Sequence, residues 1–167
     1  MRNVELKARL DDPDAAERIA LRLSGSTAPR VLMQVDTYFV VPAGRLKLRE
    51  ADEGAELIYY HRGDTPGPKE SQYRIVPVGS PGPLKELLGA CLGVNVVVRK
   101  TRRLYLVDSV RIHIDEVEGL GSFLEFEALI GEGDPAEDGY RLVRRLISEF
   151  DLVDGDLIAE SYGELID

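Results

Sequence analysis

The sequence predicts an α+β fold dominated by antiparallel strands, and three observations carry that prediction. Stretch after stretch alternates charged with apolar residues at period two, the spacing of a strand with one buried face. Short turn-forming connections join these stretches, as antiparallel pairs allow. Between and after them, three or four segments place apolar residues at helical spacing. The clearest strand pair runs from Arg111 to Leu129. In its first half Arg111, His113 and Asp115 share one face, opposite Val110, Ile112 and Ile114. Past the turn signals Gly119 and Gly121, Glu125 and Glu127 point one way and Leu124, Phe126 and Ala128 the other. Alone, this hairpin is an ordinary amphipathic ribbon with its polar face in water. Its charged parity, however, recurs on nearly every other strand.

The elements follow in order. Residues 2–10 alternate, with Asn3, Glu5, Lys7 and Arg9 on one face and Val4, Leu6, Ala8 and Leu10 on the other. Asp12-Pro13 supplies an N-cap and a helix-starting proline; Ala16, Ile19, Ala20 and Leu23 form the stripe, and Gly25 ends it. Residues 33–41 form the next strand. Pro42-Ala43-Gly44 then turns into residues 45–49, where Arg45, Lys47 and Arg49 alternate with two leucines. Residues 56–62 make a strand ending in Arg62, and a glycine- and proline-rich loop leads to residues 69–78, with Lys69, Ser71 and Tyr73 in phase. A short helix over 83–92 carries Leu84, Leu87, Leu88 and Cys91 on one side. The strand over 96–107 has Val98, Lys100 and Arg102 in phase. After the hairpin, Pro135 opens a helix with the stripe Tyr140, Val143, Leu146, Ile147 and Phe150, and residues 157–166 read as a last helical stretch with Ile158, Tyr162 and Leu165. The count is about eight strands, with no internal repeat and no linker.

Bulk properties bound the function. A chain of 167 residues is long enough for one domain with a real core, expected over 1–167. At 44% hydrophobic and 31% charged, the composition is that of a soluble globular protein, with no apolar run near a membrane span and no signal peptide. Cys91, the lone cysteine, has no internal partner; it reads as core filler in a cytoplasmic protein. A net charge of −9 argues against nonspecific binding of nucleic acid or a membrane surface. A small anion stays open, provided the 21 Lys and Arg residues are concentrated somewhere.

Strands with one charged and one apolar face leave two arrangements. Either the charges face outward from a sheet, or helices cover the apolar outside of a curved sheet and the charges line its interior. An eight-stranded closed sheet has room inside for side chains or one small ligand. The second arrangement gathers Lys7, Arg9, Arg45, Lys47, Arg49, Arg62, Lys69, Lys100, Arg102 and Arg111 in one cavity, where a polyanion would offset their repulsion. Glu5, Asp115, Glu125 and Glu127 would be the counter-set, suited to a hard divalent cation such as Mg²⁺ or Mn²⁺. Cations for phosphates with carboxylates for a metal is equipment for a metal–triphosphate.

The same residues carry a resemblance. V-E-L-K-A-R (4–9), Q-V-D-T-Y-F (34–39), G-R-L-K-L-R-E (44–50), L-I-Y-Y-H-R (57–62), R-K-T-R-R-L-Y (99–105), R-I-H-I-D-E-V-E-G-L-G-S-F-L-E-F-E (111–127) and S-Y-G-E-L-I (161–166) together resemble the CYTH superfamily, the triphosphate tunnel metalloenzymes. Within it, they look most like the class IV adenylyl cyclase branch. The resemblance spans the chain in the family's order and implies an eight-stranded antiparallel closed β-barrel with helices outside. It also implies metal held by glutamates of the first and last strands and a triphosphate held by tunnel Lys and Arg. One position departs. The family's Glu-x-Glu-x-Lys reads Asn3-Val4-Glu5-Leu6-Lys7, which puts a neutral amide where a carboxylate is expected.

Several single residues have ordinary structural roles open to them. His113, between Arg111 and Asp115, reads as structural rather than substrate-touching; Arg99 and Arg103 have surface parity; Tyr162 and the pair Tyr59-Tyr60 are left as packing or stacking residues. Three functions stay open. An adenylyl cyclase-like enzyme would join the ribose hydroxyl of ATP to the α-phosphate and release pyrophosphate. A hydrolase would cleave inorganic tripolyphosphate, a nucleoside triphosphate or thiamine triphosphate. A noncatalytic module would only bind such ligands. The expected catalytic set is Lys7, Lys100 and Arg111; the expected partner is a small triphosphate, with no nucleic acid or membrane and with a homodimer left open.

Overall fold

The computed structural model describes residues 1–166. Its element order is β1 (Arg2–Arg9), α1 (Pro13–Ser24), β2 (Arg30–Phe39), β3 (Arg45–Ala51), β4 (Gly54–Arg62), β5 (Lys69–Val78), α2 (Pro81–Leu92), β6 (Val94–Val107), β7 (Val110–Val117), β8 (Gly121–Ile130), α3 (Ala136–Glu149), a 3₁₀ turn (Asp154–Asp156) and α4 (Tyr162–Ile166). The strands close into one barrel in the order β1-β5-β4-β3-β2-β6-β7-β8, every neighbouring pair antiparallel. Closure removes the unpaired edges that an open sheet would present.

The core decides between the two arrangements left by the parity. Val4, Leu6, Ala8, Ile112, Ile114, Leu124 and Phe126 are buried on the outside of the barrel with Ala16 and Ala20 of α1 and Val143 and Leu146 of α3. The apolar parity therefore faces helices and the charged parity faces inward. Local chemistry agrees: Asp12 Oδ1 accepts from Ala15 N at 2.9 Å to cap α1, and Gly25 ends that helix at φ +66°. α3 lies against β1 so closely that a Cβ at Gly139 would stand 2.9 Å from Val4 Cγ2.

A second cluster closes one barrel end. Tyr38, Val98, Val117 and Phe123 pack there with Ile158 and Tyr162 of the C-terminal segment. That segment corrects one expectation. Residues 157–161 are not helical: Leu157 bridges Ala8, and Ile158 N donates to Lys7 O at 2.9 Å. The end of β1 beyond Glu5, which β5 does not pair, satisfies the backbone at Leu157 and Ile158, and helix begins only at Tyr162. A second correction concerns α2. It packs on β2 and β3 yet buries none of its residues; Leu87 is 59% exposed, and Cys91 is exposed rather than core filler.

Candidate functional site

The barrel encloses a cavity of about 360 Å³, within the usual range for a small-molecule site. Eight cations line it (Lys7, Arg30, Lys47, Arg49, Arg62, Lys100, Arg102 and Arg111) against four glutamates, Glu5, Glu56, Glu125 and Glu127. Alternation on the strands puts them there: the apolar neighbours of each are committed to the helix-covered face.

Two pincers hold half of these cations in place. On β2, Asp36 is the cross-strand partner of Arg49, accepts from its Nε and Nη2 at 2.7 Å each, and accepts from Lys47 Nζ at 2.8 Å. On β7, Asp115 pairs across with Arg102, which reaches it at 2.7 and 2.6 Å, while Lys100 lies at 3.4 Å and the Tyr162 hydroxyl donates at 2.9 Å. Burial alone would raise both carboxyls. Arg49 and Lys47 hold Asp36 well below the usual carboxylate range, and Arg102 and Lys100 do the same for Asp115. Each Lys-x-Arg pair is thus fixed by an aspartate in the wall at the edge of the cavity, and Arg102 Nη2 also donates to Glu125 Oε2 at 2.5 Å. The cost appears at Lys100, whose ammonium is pulled down to about 7 by burial and by the nearby Arg102 despite the attraction of Asp115.

The third group is acidic. Ligand atoms of His113, Glu125 and Glu127 all lie within 4.8 Å of one another, an arrangement that could hold a metal ion. His113 Nδ1 is buried without a hydrogen-bond partner among the described residues, 3.6 Å from Glu125 and 4.0 Å from Glu127. A buried unpartnered ring nitrogen beside two carboxylates fits a divalent cation better than it fits a packing role. Burial would raise both glutamates. Lys7 and Arg102 instead hold Glu125 well below its usual value, and His113 and Arg102 lower Glu127, so both stay ionised, although Glu125 Oε2 also accepts from Arg102 Nη2 at 2.5 Å. Glu5 stands apart, paired with Arg62 at 3.1 Å, and burial raises its carboxyl. Lys7 is 3.4 Å from Glu125, donates to Glu160 O at 3.1 Å, and sits 3.7 Å over the Tyr162 ring. Tyr162 is carried by α4, which approaches the barrel through Gly163: a Cβ there would lie 3.1 Å from Val96 Cγ1.

Of the residues expected from sequence, Glu5, Lys7, Lys47, Arg49, Arg62, Lys100, Arg102, Arg111, Glu125 and Glu127 meet in the cavity. Four do not line it. Arg9 is exposed at the closed end, its guanidinium 5.3 Å over the Phe123 ring. Arg45 is taken up by Asp64 and Glu164, at 2.6 Å each. Lys69 donates to the carbonyls of Thr65, Ala159 and Ile158, which ties the C-terminal segment to β5. Asp115 is wholly buried and spent on the pincer, not free for a metal. In each case the parity held, but depth along the strand set the partner. Residues outside the expected set also stand at the site: Asp36 and Gln34 in the quoted Q-V-D-T-Y-F, Arg30 and Glu56 on the cavity wall, and His113, whose inward parity was the available signal.

Comparison with known proteins extends the picture. A model of the CYTH domain matches residues 1–162. The chain belongs to the CYTH family. A Methanocaldococcus jannaschii protein provisionally named an adenylate cyclase is 31% identical over 68 residues, covering 41% of this chain. The chain spans only 39% of the length of that curated relative. Among solved structures, a Pyrococcus horikoshii protein superposes with a TM-score of 0.82 at 22% identity, over 99% of both chains. A Hippeastrum protein, provisionally named an adenylyl cyclase and described as having a dominant triphosphatase activity, gives 0.63 at 16% identity over 98% of this chain and 93% of its own. At these identities, both likenesses establish the CYTH barrel alone.

Proposed function

We propose that the protein is a metal-dependent phosphoryl-transfer enzyme acting on a triphosphate inside the barrel, in the manner of an adenylyl cyclase. One observation carries this reading: two aspartate-held Lys-x-Arg pairs face the same cavity as the His113, Glu125 and Glu127 group. Lys47, Arg49, Lys100, Arg102, Arg62 and Arg111 would grip phosphate oxygens, and Lys7 would sit between the phosphates and the acidic group. His113, Glu125 and Glu127 would hold Mn²⁺ or Mg²⁺, with Mn²⁺ favoured because an imidazole nitrogen is a poor partner for Mg²⁺. When bound, the metal would supply charge to polarise a phosphoryl oxygen. In the cyclase reaction the ribose hydroxyl oxygen bonds to the α-phosphorus, the bond to the β-phosphate oxygen breaks, and the hydroxyl proton passes to solvent. The chain's part is to position the phosphates and neutralise the charge on the leaving pyrophosphate.

Triphosphate hydrolysis is the second reading, favoured because the Hippeastrum fold neighbour bears a cyclase name and a triphosphatase description together. Its substrate would be tripolyphosphate, a nucleoside triphosphate or thiamine triphosphate. Incubating the protein with ATP or tripolyphosphate and Mn²⁺ or Mg²⁺ separates the readings: cyclic AMP with pyrophosphate supports the cyclase, orthophosphate the hydrolase, and no turnover a binding module. The lone cysteine and acidic surface suit a cytoplasmic setting, and the exposed Val31, Met33 and Leu87 near α2 are where a homodimer would form.

A further inference from the structure

We propose that the open end of the tunnel is a slot for a flat organic group, so that the site selects a nucleoside triphosphate over inorganic tripolyphosphate; this rests on the triphosphate reading above. Among the charged side chains of the cavity stand four aliphatic ones, Leu32 on β2, Ile58 on β4, Ile75 on β5 and Leu104 on β6. Three of them share a depth. Leu32 is six residues from Tyr38, Ile75 six from Lys69 and Leu104 six from Val98, and each of those partners belongs to the closed end. Six residues of strand rise about 20 Å before tilt, so Leu32, Ile75 and Leu104 lie towards the mouth. Ile58 is the cross-strand partner of Ile75 and widens that wall inward. Leu32 and Leu104 are diagonal neighbours on the β2–β6 ladder, where Leu32 pairs with Arg102 and Arg30 with Leu104. In the closed order β5 and β6 are four strands apart in either direction, so the isoleucine pair and the leucine pair face each other.

An inorganic polyphosphate has no use for such walls. It is charged on every side, and apolar surface beside it gains nothing. A heterocycle between the pairs would cover it. The amides point the same way. Gln34 Oε1 and Asn3 Oδ1 are buried, line the cavity and have no hydrogen-bond partner among the described residues. Each amide carries both an acceptor oxygen and a donor NH2, and being uncharged it suits a neutral ligand hydroxyl or amine. Gln34 follows Leu32 on the inward face of β2 and precedes Asp36, which holds the phosphate-facing cations. Down one strand the tunnel thus offers an apolar wall, an amide able to bond a hydroxyl, then cations. That is the order of base, sugar and phosphates.

Equilibrium binding of ATP and of tripolyphosphate, both with Mg²⁺, to the full chain and to Leu104→Ser and Ile75→Ser tests the slot. The unaltered protein should prefer ATP. Each serine variant should weaken ATP about tenfold while changing tripolyphosphate binding less than about twofold. Two variants on opposite walls keep the test decisive should one fail to fold. Tripolyphosphate bound as tightly as ATP by the unaltered protein, or equal losses for both ligands in the variants, overturns the slot and leaves the phosphate grip standing. Binding of neither ligand overturns the grip and the slot with it.

Discussion

Asn3 is the residue at which the family pattern breaks, and His113 is the residue that changes what the break means. The amide removes one charged oxygen from the first strand, but the buried imidazole supplies a nitrogen among Glu125 and Glu127. If His113 is a ligand, His113→Ala should weaken Mn²⁺ binding about tenfold, by analogy with the loss of a group that orients or supports a metal. It should also erase any preference for Mn²⁺ over Mg²⁺. Asn3→Glu should tighten both ions, since the new carboxylate projects into the same cavity as Asn3. Titration calorimetry of each ion into the three proteins reads both effects; unchanged Mn²⁺ affinity in His113→Ala returns that residue to a packing role. Asp36 makes a separate prediction about stability. Its folded carboxyl is held well below the ordinary range, so the stability it contributes is full above about pH 5 and is lost as pH falls towards the folded value. Asp36→Asn leaves Lys47 and Arg49 buried without their counter-charge and should cost on the order of 3–5 kcal/mol in urea melts at pH 7. The gap between the two proteins should narrow below about pH 4. A gap that is constant with pH would mean the aspartate acts by shape, not charge.

At the scale of elements, legibility followed the strength of the local period. The eight strands and the first and third helices could be read because alternation, inward cations in phase or a 3.6-residue stripe marked each, even where, as at Arg99 to Arg103, both faces of the strand are polar. The closed end could not be read in the same way. Ile158, Tyr162 and Leu165 have helical spacing, yet Leu157 and Ile158 bond to the end of β1 instead of forming a turn. Likewise the pincers were half visible. Lys-x-Arg parity placed the cations, but no local pattern shows that Asp36 faces Arg49, because that pairing depends on the register between two strands. The helix α2 shows the opposite failure, a good stripe with nothing to bury it. Leu84, Leu87, Leu88 and Cys91 are spaced for a core, and the barrel offers them only the shoulder of β2 and β3. Cys91 should therefore react with a maleimide in the native protein as fast as in urea, within a few-fold, whereas a core thiol would wait for unfolding. Mass spectrometry after brief labelling decides it; protection of Cys91 in buffer would show that the α2 face is covered in solution.

The whole molecule combines a net charge of −9 with eight cations turned inward, so its acidic exterior and basic interior are separate electrostatic regions. Sequence alone suggested an interior strained by repulsion. The structure shows that strain moderated, because Asp36 and Asp115 sit behind the cations and Glu5, Glu125 and Glu127 among them. The empty barrel should then be stable, and a polyanion should add to that stability by binding the folded state alone. At a hundred times its dissociation constant, tripolyphosphate or ATP should contribute roughly 2.7 kcal/mol. For a chain of this size that is a rise in Tm of roughly 5–10 °C. Sodium chloride at equal ionic strength should not reproduce the shift, because buried pairs are screened far less than exposed ones. The pincer variant links this scale to the residue. In Asp36→Asn the two freed cations must find another anion, so the triphosphate should raise its Tm by more than it raises that of the unaltered protein. A Tm that ignores millimolar triphosphate in both proteins would show that the inward charges serve the barrel and not a ligand, and the functional reading would fall with it.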